Sequence, residues 1–345
     1  MPGAASNDAA WGAPVEAHEV QELGRYTLRQ AMDHTGLGAW FEAWDQDQGC
    51  VVALYLPADQ AEAQARARSD ALFLAAMQPG AALQHPYVAT VVDVGLGPRG
   101  PYLATAWMAG RSLAQALQSG WRPPLSRAVL LMQRVALALA HAHQHGVCHG
   151  ALDPGNVWLL DDATPKLRAF GVAAGALASA LPELDPLVIG PGHYLAPEQL
   201  LGETVDERTD VHAVGALLYE LLTGVQAYPG HTVSQVAHAL LKLRPRAPHL
   251  LRPELPLGLS EIVMRALQRA PTDRYHSAAE LAGALGAWLK DTPSPEEPQP
   301  LAKANSAMPA AVTSQVRWWA SKVFTAGAAL AAAIGLWFAW SGAGR

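Results

Sequence analysis

The chain has 345 residues, of which 50% are apolar and 16% are charged, and its formal net charge is −6. Proteins that bind nucleic acid normally carry an excess of basic residues, so this balance excludes a nucleic-acid partner. The two cysteines, Cys50 and Cys148, lack the CxxC spacing of a structural zinc site, and a reducing cytosol fits them best. The apolar excess indicates that part of the chain lies in lipid.

The front of the chain predicts a tail, three strands and a helix. Residues 1–24 lack the basic and apolar regions of a signal peptide and are predicted to be a mobile tail. Three apolar runs separated by turn residues predict strands, at residues 26–28, 38–43 and 50–56. A helix is expected over residues 61–78, where Pro79 and Gly80 should end it early.

Beyond the strands the pattern becomes mostly helical. Residues 127–145 carry apolar side chains at helical spacing, and residues 210–223 are apolar nearly all round, as a buried central helix would be. A small strand-rich part followed by a larger helical part predicts an α+β fold with two lobes. We expect the first lobe to span residues 25–108 and the second to span residues 109–289.

The last part of the chain predicts a linker and a membrane anchor. Residues 290–316 are rich in Pro, Ala and Ser, which favours a linker because such a segment buries little apolar area. Within an anchor at residues 317–345, residues 323–340 form an uncharged stretch long enough to span a bilayer. Arg317 and Lys322 precede it, which predicts a single pass through the cytoplasmic membrane with both lobes in the cytoplasm. The alternative is an Ala-rich buried helix of a soluble domain.

Small residues recur every four positions within that stretch, at Gly327, Ala331 and Gly335. This spacing lets two membrane helices approach closely, so it predicts a homodimer. The alternative is chance, because an Ala-rich helix produces such spacings without any partner.

Three motifs follow one another in the second lobe. They read YLAPEQL at residues 194–200, DERTDVHAVGALLYELLTG at 206–224 and RAPTDRY at 269–275. They resemble the activation-segment end, the central helix and a late C-lobe element of the bacterial members of the eukaryotic-like serine/threonine protein kinase family. The resemblance covers roughly residues 25–289 and implies a two-lobed protein-kinase-like fold, with a small β-rich N-lobe and a larger helical C-lobe.

The resemblance assigns structural roles to several retained residues. It implies a buried ion pair between Glu198 and Arg274, and structure alone could explain such a pair because losing one partner is strongly destabilising. Asp210 is expected to accept backbone hydrogen bonds from the loop that carries His149. The family's D-F-G element keeps its last two residues, Phe170 and Gly171.

The same alignment shows that the groups required for phosphoryl transfer are replaced. The reaction needs a lysine on the phosphates, carboxylates on magnesium and a carboxylate that accepts the hydroxyl proton. The aligned positions of the lysine, its helix partner, the catalytic base, the catalytic-loop lysine and the magnesium carboxylate hold Tyr55, Ala76, Ala151, Asp153 and Ala169. Asn156 alone remains, and one carboxamide does not hold magnesium against water. The resemblance therefore implies a degenerate member, a pseudokinase without catalytic residues.

The nucleotide cleft departs from the family as well. Gly36 and Gly38 remain of the glycine-rich loop. Its first two glycine positions hold Asp33 and Thr35, and the charge of Asp33 is expected to repel phosphate.

By resemblance, Trp40 and Trp158 hold the two positions that sandwich an adenine ring, and Ala53 and Thr105 are further remnants of the cleft. The two indoles are large enough to fill the adenine slot with protein. The alternative is that one or both rotate outward and that a nucleotide still fits.

Histidines and a cysteine crowd the segment before the catalytic loop, at His141, His143, His145, Cys148 and His149. His141 and His145 have a helical spacing that could hold a metal. The family helix ends in a similar pattern, and no carboxylate accompanies these residues in an HExxH arrangement. No metal is therefore expected.

These observations favour a membrane-anchored scaffold or allosteric partner in signalling, with no cofactor. Its partner is expected to be a protein, either an active kinase or a phosphopeptide-binding adaptor, which membrane confinement would keep close. One alternative is an ATP- and Mg-dependent serine/threonine kinase with atypical or residual activity, which would need substitutes for several groups at once. The other alternative is a non-catalytic sensor of a nucleotide or an apolar ligand.

Overall fold

The computed structural model describes residues 21–35, 38–57, 63–173 and 192–291. The first lobe is an antiparallel sheet with a helix against it. Its strands are β1 Gln21–Leu23, β2 Tyr26–Thr35, β3 Gly38–Asp45, β4 Cys50–Pro57, β5 Val91–Gly97 and β6 Gly100–Ala106. They pair in the order β1-β2-β3-β4-β6-β5. The three predicted strands are confirmed as β2, β3 and β4.

Strand β4 has apolar side chains on both faces of this sheet. Successive side chains of a strand point to opposite faces. Ala53 and Tyr55 therefore join the main core that continues into the second lobe, whereas Val52 and Leu54 pack in a separate cluster on the other face. This alternation places Tyr55 toward the cleft between the lobes.

Helix α1 spans Ala63–Ala81 and continues past Pro79. The expectation that Pro79 and Gly80 end this helix three residues earlier is wrong. A proline removes one backbone hydrogen bond and crowds the turn before it. Here it stands in the last turn, and Phe73 and Met77 anchor the preceding turns because both are buried in the core. Tertiary packing outweighs the local preference.

The second lobe is mostly helical, as predicted. Its helices are α2 Leu113–Gln118, α3 Leu125–Gln144, α4 Pro197–Leu200, α5 Glu207–Thr223, α6 Val233–Lys242, α7 Pro248–Leu251, α8 Leu257–Ala266 and α9 Ala278–Lys290. Three short strands, β7 Arg111–Ser112, β8 Val157–Leu159 and β9 Pro165–Leu167, form a second antiparallel sheet in that order. A bridge between Val88 and Leu167 connects this sheet to the segment that precedes β5.

Helices α3 and α5 form the centre of the second lobe and confirm the two helices predicted there. The side chain of Asp206 caps α5 by accepting a hydrogen bond from the backbone N–H of Arg208, and Gly224 ends the helix in the left-handed conformation. By length and composition alone α3 could cross a membrane, but half of its apolar window is buried inside the protein. It packs against α5 and α9, so its hydropathy is that of a core helix.

Several predictions fall on residues outside the described ranges. They concern residues 1–20 of the predicted tail, Gly36, the linker, the anchor at residues 317–345 and the small-residue stripe at Gly327, Ala331 and Gly335. The end of the predicted tail at residues 1–24 is corrected, because Gln21–Leu23 form β1 and pair with β2. The predictions that fall outside the described ranges stay predictions.

Candidate functional site between the lobes

An arginine lies between two tryptophans in the cleft between the lobes. Trp40 on β3 is 0% exposed and Trp158 on β8 is 4% exposed. The Cζ atom of Arg168 lies 4.3 Å from the ring centroid of Trp40 and 4.5 Å from that of Trp158. An indole face attracts a guanidinium, and the attraction is stronger where water is excluded. We call this arrangement of Arg168, Trp40 and Trp158 the arginine clamp.

Polar contacts hold the charge of Arg168 in the cleft. Its Nη2 atom donates a hydrogen bond to the carbonyl of Gly155 at 2.7 Å and lies 4.0 Å from Oδ2 of Asp33. Burial lowers the pKa of Arg168 to about 10, while Asp33 and Asp153 oppose this shift, so the guanidinium stays charged at neutral pH. The carboxylate of Asp33 thus faces a cation supplied by the chain. No hydrogen-bond partner for Nε of Arg168 exists in the part of the chain that the structure describes.

Tyr55 fills the position that aligns with the family's phosphate-binding lysine. It is fully buried, and its ring packs against Trp40 with the centroids 5.2 Å apart. Gly38 on β3 is closely packed, because a Cβ atom there would collide with the backbone carbonyl oxygen of Leu56 and would lie only 2.6 Å from the Tyr55 hydroxyl oxygen. Packing against Leu56 and Tyr55 therefore explains the glycine at position 38 without any phosphate. The other remnants, Ala53 and Thr105, are buried on adjacent strands.

The loop aligned with the catalytic loop keeps its backbone contacts but not its base. Asp210 accepts hydrogen bonds from the backbone N–H groups of His149 and the next residue, each at 2.8 Å. His149 donates from Nε2 to the carbonyl of Arg168 at 2.9 Å, and its ring contacts that of Phe170. Ala151 stands at the position of the base, and a methyl group has no atom that accepts a proton. The loop is preserved as a structural element.

Asp153 replaces the catalytic-loop lysine and organises the backbone around it. Its Oδ1 atom accepts a hydrogen bond from the backbone N–H of Asn156 at 2.9 Å. Burial raises the pKa of Asp153 to about 7, which its backbone hydrogen bonds and Arg168 only partly oppose. Asn156 donates from Nδ2 to the carbonyl of Ala151 at 2.9 Å. The retained asparagine therefore has a structural use in this loop.

The remnant of the D-F-G element keeps an uncommon backbone shape. Ala169 has φ of 66° and Gly171 has φ of 81°, both in the left-handed region. This region costs a residue with a Cβ atom about 1–2 kcal/mol. At Gly171 a Cβ atom would also lie within contact of the backbone carbonyl of Ala76 on α1. Ala76 thus lies beside the remnant, but it carries no charge to pair with a lysine.

Below the cleft, Glu198 and Arg274 form a buried ion pair with two hydrogen bonds, of 2.7 Å and 2.8 Å. Thr209 donates to the same carboxylate at 2.8 Å, and Nε of Arg274 donates to the carbonyl of Gln268 at 2.8 Å. Burial alone would raise the pKa of Glu198, but its hydrogen bonds and attraction to Arg274 lower it overall. Every polar group of this pair is used within the fold.

Part of the histidine-rich segment gathers around Asp210. Ligand atoms of His143, Cys148 and Asp210 lie within 4.8 Å of one another, a geometry that could hold a metal ion. However, Nε2 of His143 hydrogen-bonds Oδ2 of Asp210 at 2.7 Å, and burial raises the pKa of Cys148 to about 12, which keeps the thiol protonated. Hydrogen bonding therefore accounts for the arrangement. His141 and His145 contact each other separately, with ring centroids 4.5 Å apart.

The sequence placed both tryptophans in the cleft but did not indicate Arg168. The alternative in which the indoles rotate outward is not observed, because both are buried. Two signals were available in the sequence. Arg168 directly precedes Ala169, where the magnesium carboxylate is lost, and Asp33 adds the opposite charge in the glycine-rich loop. Read together, they indicate an internal ion pair.

Comparison with known proteins agrees with this fold. A sequence model described as the protein kinase domain matches residues 35–282. A probable serine/threonine-protein kinase of Streptomyces coelicolor is 33% identical over 279 residues, which cover 78% of this chain and 41% of that protein. The serine/threonine-protein kinase PknE of Mycobacterium tuberculosis is 31% identical over 79% of this chain and 48% of its own length. The chain thus spans less than half the length of these relatives.

A solved structure gives the same result. The PknI kinase domain of Mycobacterium tuberculosis superimposes with a TM-score of 0.61 at 25% identity, covering 78% of this chain and 98% of that domain.

Proposed function

This chain belongs to the protein kinase domain family, and we propose that within this family it acts as a pseudokinase, a non-catalytic scaffold or allosteric partner in signalling. The observation that carries the proposal is the arginine clamp. Arg168 lies between the two indoles that align with the adenine-binding positions. The protein therefore supplies its own occupant for that space.

The charges of the cleft support the proposal independently of the volume that Arg168 occupies. Phosphoryl transfer depends almost entirely on positioning and on charges that stabilise the transition state. Tyr55 offers no cation to the phosphates, Ala169 offers no ligand to magnesium, and Ala151 accepts no proton. Removing a single stabilising group of this kind commonly reduces kcat by about 10²–10³. Loss of three such groups in one cleft should therefore reduce the rate of phosphoryl transfer far more than the loss of one.

A nucleotide would also have to displace Arg168. That movement would break the hydrogen bond to Gly155, separate Arg168 from Asp33 and remove two indole contacts. The free energy of this displacement would subtract from any nucleotide affinity, since a ligand binds only the fraction of molecules in the competent state.

The proposal includes the place of action and the partner. The uncharged stretch at residues 323–340 supports a single-pass anchor, with the kinase-like domain at the cytoplasmic face of the membrane. Confinement to a membrane raises the effective concentration of any partner in the same membrane. We expect that partner to be a protein, either an active kinase or a phosphopeptide-binding adaptor.

One observation favours a second candidate, a serine/threonine kinase with atypical activity that uses ATP and Mg. The relatives named above are described as serine/threonine-protein kinases. Asp153 lies two residues beyond the lost base, and its pKa of about 7 is near the optimum for a general base at neutral pH. A base displaced in this way would still require replacements for the phosphate and magnesium ligands.

Transfer of radioactive γ-phosphate from ATP separates the two candidates. The 345-residue chain is incubated with Mg or Mn and a generic basic protein substrate, beside the variants Asp153→Asn and Asn156→Ala. The pseudokinase proposal expects incorporation equal to a no-protein control in all three samples. Incorporation by the unmodified chain that disappears in Asp153→Asn would establish the second candidate instead.

A further inference from the structure

Backbone hydrogen bonds join the two lobes at the segment before β5. Leu167, at the end of β9, donates to the carbonyl of Tyr87 and accepts from the N–H of Ala89, each at 2.8 Å. Tyr87 and Ala89 belong to the first lobe, and Leu167 belongs to the second. Two lobes joined in this way can still rotate about a hinge, because a few residues absorb the rotation while each lobe stays intact. Whether the cleft opens therefore depends on the other contacts between the lobes.

The side chain of Arg168 makes a second connection, because it contacts residues of both lobes. Trp40 on β3 and Asp33 on β2 belong to the first lobe, and they lie 4.3 Å from Cζ and 4.0 Å from Nη2 of Arg168. Trp158 on β8 and the carbonyl of Gly155 belong to the second lobe, at 4.5 Å from Cζ and 2.7 Å from Nη2. One guanidinium thus contacts an indole face of each lobe.

A glutamine makes a third connection to the same strand of the first lobe. Gln115 on α2 donates a hydrogen bond from Nε2 to the backbone carbonyl of Met32 on β2 at 2.6 Å. Its Oε1 atom accepts from the backbone N–H of Ser112 at 3.1 Å, as part of the capping box of α2. The second lobe therefore holds two successive residues of β2, Met32 and Asp33.

The end of α1 packs directly onto the segment that follows Arg168. A Cβ atom at Gly80 would lie 2.7 Å from the backbone carbonyl oxygen of Phe170. The two backbones are therefore in close contact, and this contact again joins the first lobe to the second.

Opening the cleft would expose large side chains that are now buried. Trp40 is 0% exposed and Arg168 is 1% exposed. Arg168 and Trp158 belong to the same lobe, so separation of the lobes would remove Trp40 from Arg168. Water would then reach this indole and one face of the guanidinium, whereas the attraction between them is strongest where water is excluded. The closed arrangement is therefore favoured over an open one.

We propose that Arg168 is a latch that fixes the first lobe against the second. The latch consists of the contacts of its guanidinium with Trp40 and Asp33. The inference rests on the proposed function and narrows it. A chain with one fixed arrangement of its lobes presents a fixed binding surface, as a scaffold does, whereas a partner that acts by switching needs two populated states.

A second contact between an arginine and an indole lies within one lobe and offers a matched control. The Cζ atom of Arg29 lies 4.8 Å from the ring centroid of Trp44, and its Nη1 atom lies 3.6 Å from a carboxylate oxygen of Glu42. All three residues belong to strands β2 and β3 of the first lobe. This contact has the chemistry of the latch but does not connect the lobes.

Double electron–electron resonance measures the distance between the lobes in the 345-residue chain without nucleotide. The two native cysteines, Cys50 and Cys148, are replaced by serine. Spin labels are attached at Gln48→Cys in the first lobe and Glu261→Cys in the second lobe, both at exposed positions. We expect one narrow distance distribution for the chain that retains Arg168.

Variants of the two arginines test the latch. Arg168→Ala should broaden the distribution by roughly twofold or more, because the lobes are then free to rotate. Arg168→Gln keeps a donor for the carbonyl of Gly155 but has no guanidinium for the indoles, so it should broaden the distribution as well. Arg29→Ala should leave it unchanged.

A second pair of labels reports on the fold of the second lobe alone. Gln118→Cys and Glu261→Cys are both exposed and both lie in that lobe. Their distance distribution should stay the same in Arg168→Ala and Arg168→Gln. Broadening of this pair together with the first pair in both variants would overturn the inference, because Arg168 would then hold the second lobe itself.

Three further results would overturn the inference. They are a broad distribution between the lobes of the chain that retains Arg168, a distribution that stays narrow in Arg168→Ala, and equal broadening in Arg168→Ala and Arg29→Ala. Failure of the proposed function is separate. Phosphate incorporation in the transfer assay would overturn the pseudokinase proposal without changing distances measured in the absence of nucleotide.

Discussion

Among the residues that the structure describes, two arginines are almost completely buried, and they are held in different ways. Arg274 in the second lobe donates to Glu198 with both terminal nitrogens, and its remaining N–H groups bond to backbone carbonyls. Arg168 in the cleft has one backbone acceptor, a carboxylate at 4.0 Å and an indole on each face. One site is satisfied by hydrogen bonds, and the other depends largely on aromatic surfaces.

This difference distinguishes a structural part of the kinase fold, at Glu198 and Arg274, from the cleft between the lobes, at Arg168. The Glu198–Arg274 pair connects α4 to the segment before α9, a role that needs no ligand. Arg168 lies where the family resemblance places a ligand, among residues that have lost the charges for phosphate and metal. The buried pair that serves the fold is retained, and under the proposed function the residues of the ligand site serve as packing instead.

The largest predicted effect is at the hydrogen-bonded site. Arg274→Ala leaves Glu198 buried without its partner, so it should reduce the free energy of unfolding by about 3–5 kcal/mol. Urea denaturation measures this loss. The control Glu254→Ala removes only an exposed pair with Arg252 and should leave the free energy of unfolding almost unchanged. Similar losses in the two variants would contradict the structural role of the buried pair.

Removal of Arg168 should have a smaller effect. Arg168→Ala loses two indole contacts and leaves a cavity, so we expect a loss of about 2–3 kcal/mol in the free energy of unfolding. Arg168→Leu should recover at least half of this loss, because an aliphatic side chain also packs between indoles. Arg274→Leu should recover none of its loss, since Glu198 stays unpaired. Equal recovery at both sites would break the distinction between them.

The backbone beside the clamp offers a third comparison. Gly171 and Gly120 both have φ near +80°, but only Gly171 has a backbone carbonyl, that of Ala76, in the path of a Cβ atom. Gly171→Ala should therefore lower the free energy of unfolding by about 2 kcal/mol more than Gly120→Ala does. Thermal unfolding of the two variants measures the difference. Equal costs would mean that α1 moves away from the D-F-G remnant without penalty.

The smallest predicted effect depends on pH. Burial raises the pKa of Asp153 in the folded protein to about 7, above the ordinary aspartate value of 3.8. The unfolded chain therefore loses this proton at a lower pH than the folded protein. As the pH rises from about 4 to about 7, ionisation of this group therefore lowers the stability of the native protein.

Replacing the carboxyl by a carboxamide should remove this pH dependence. At pH 8 the free energy of unfolding of Asp153→Asn should exceed that of the unmodified chain by about 1 kcal/mol. One pKa unit corresponds to about 1.4 kcal/mol, and the weaker hydrogen bonds of the amide offset part of this gain. At pH 5, about two units below the folded pKa, the advantage should be lost and the unmodified chain should be the more stable of the two. Denaturant titrations at the two pH values check this result, and a variant that is less stable at pH 8 than at pH 5, relative to the unmodified chain, would contradict the shift.

Much of the fold could be predicted because its signals are local or periodic. Strand β4 alternates between two apolar clusters, and α5 is apolar nearly all round because it lies in the centre of a lobe. The end of α1 could not be predicted from Pro79, because buried residues of the preceding turns decide where that helix ends.

The sequence predicted which positions of the site differ from the family's residues, but it did not predict the contacts that the residues there form. Trp40 and Trp158 were placed by register within motifs of known spacing. The position of Arg168 depends on where a long side chain points after β9. That direction is set by Trp158 on the neighbouring strand β8 and by Trp40 and Asp33 from a distant part of the chain. Motif alignment reports which group is missing, whereas three-dimensional packing determines which group replaces it.

Equilibrium binding of ATP tests the central claim most directly. The 345-residue chain is heated with increasing ATP, with and without Mg, and its Tm is followed; a ligand at 100 times its Kd stabilises the native state by about 2.7 kcal/mol. With Arg168 between Trp40 and Trp158, we predict no saturable rise in Tm at millimolar nucleotide. A saturable rise that requires Mg and is abolished by Asn156→Ala would contradict the claim that the cleft is closed to nucleotide.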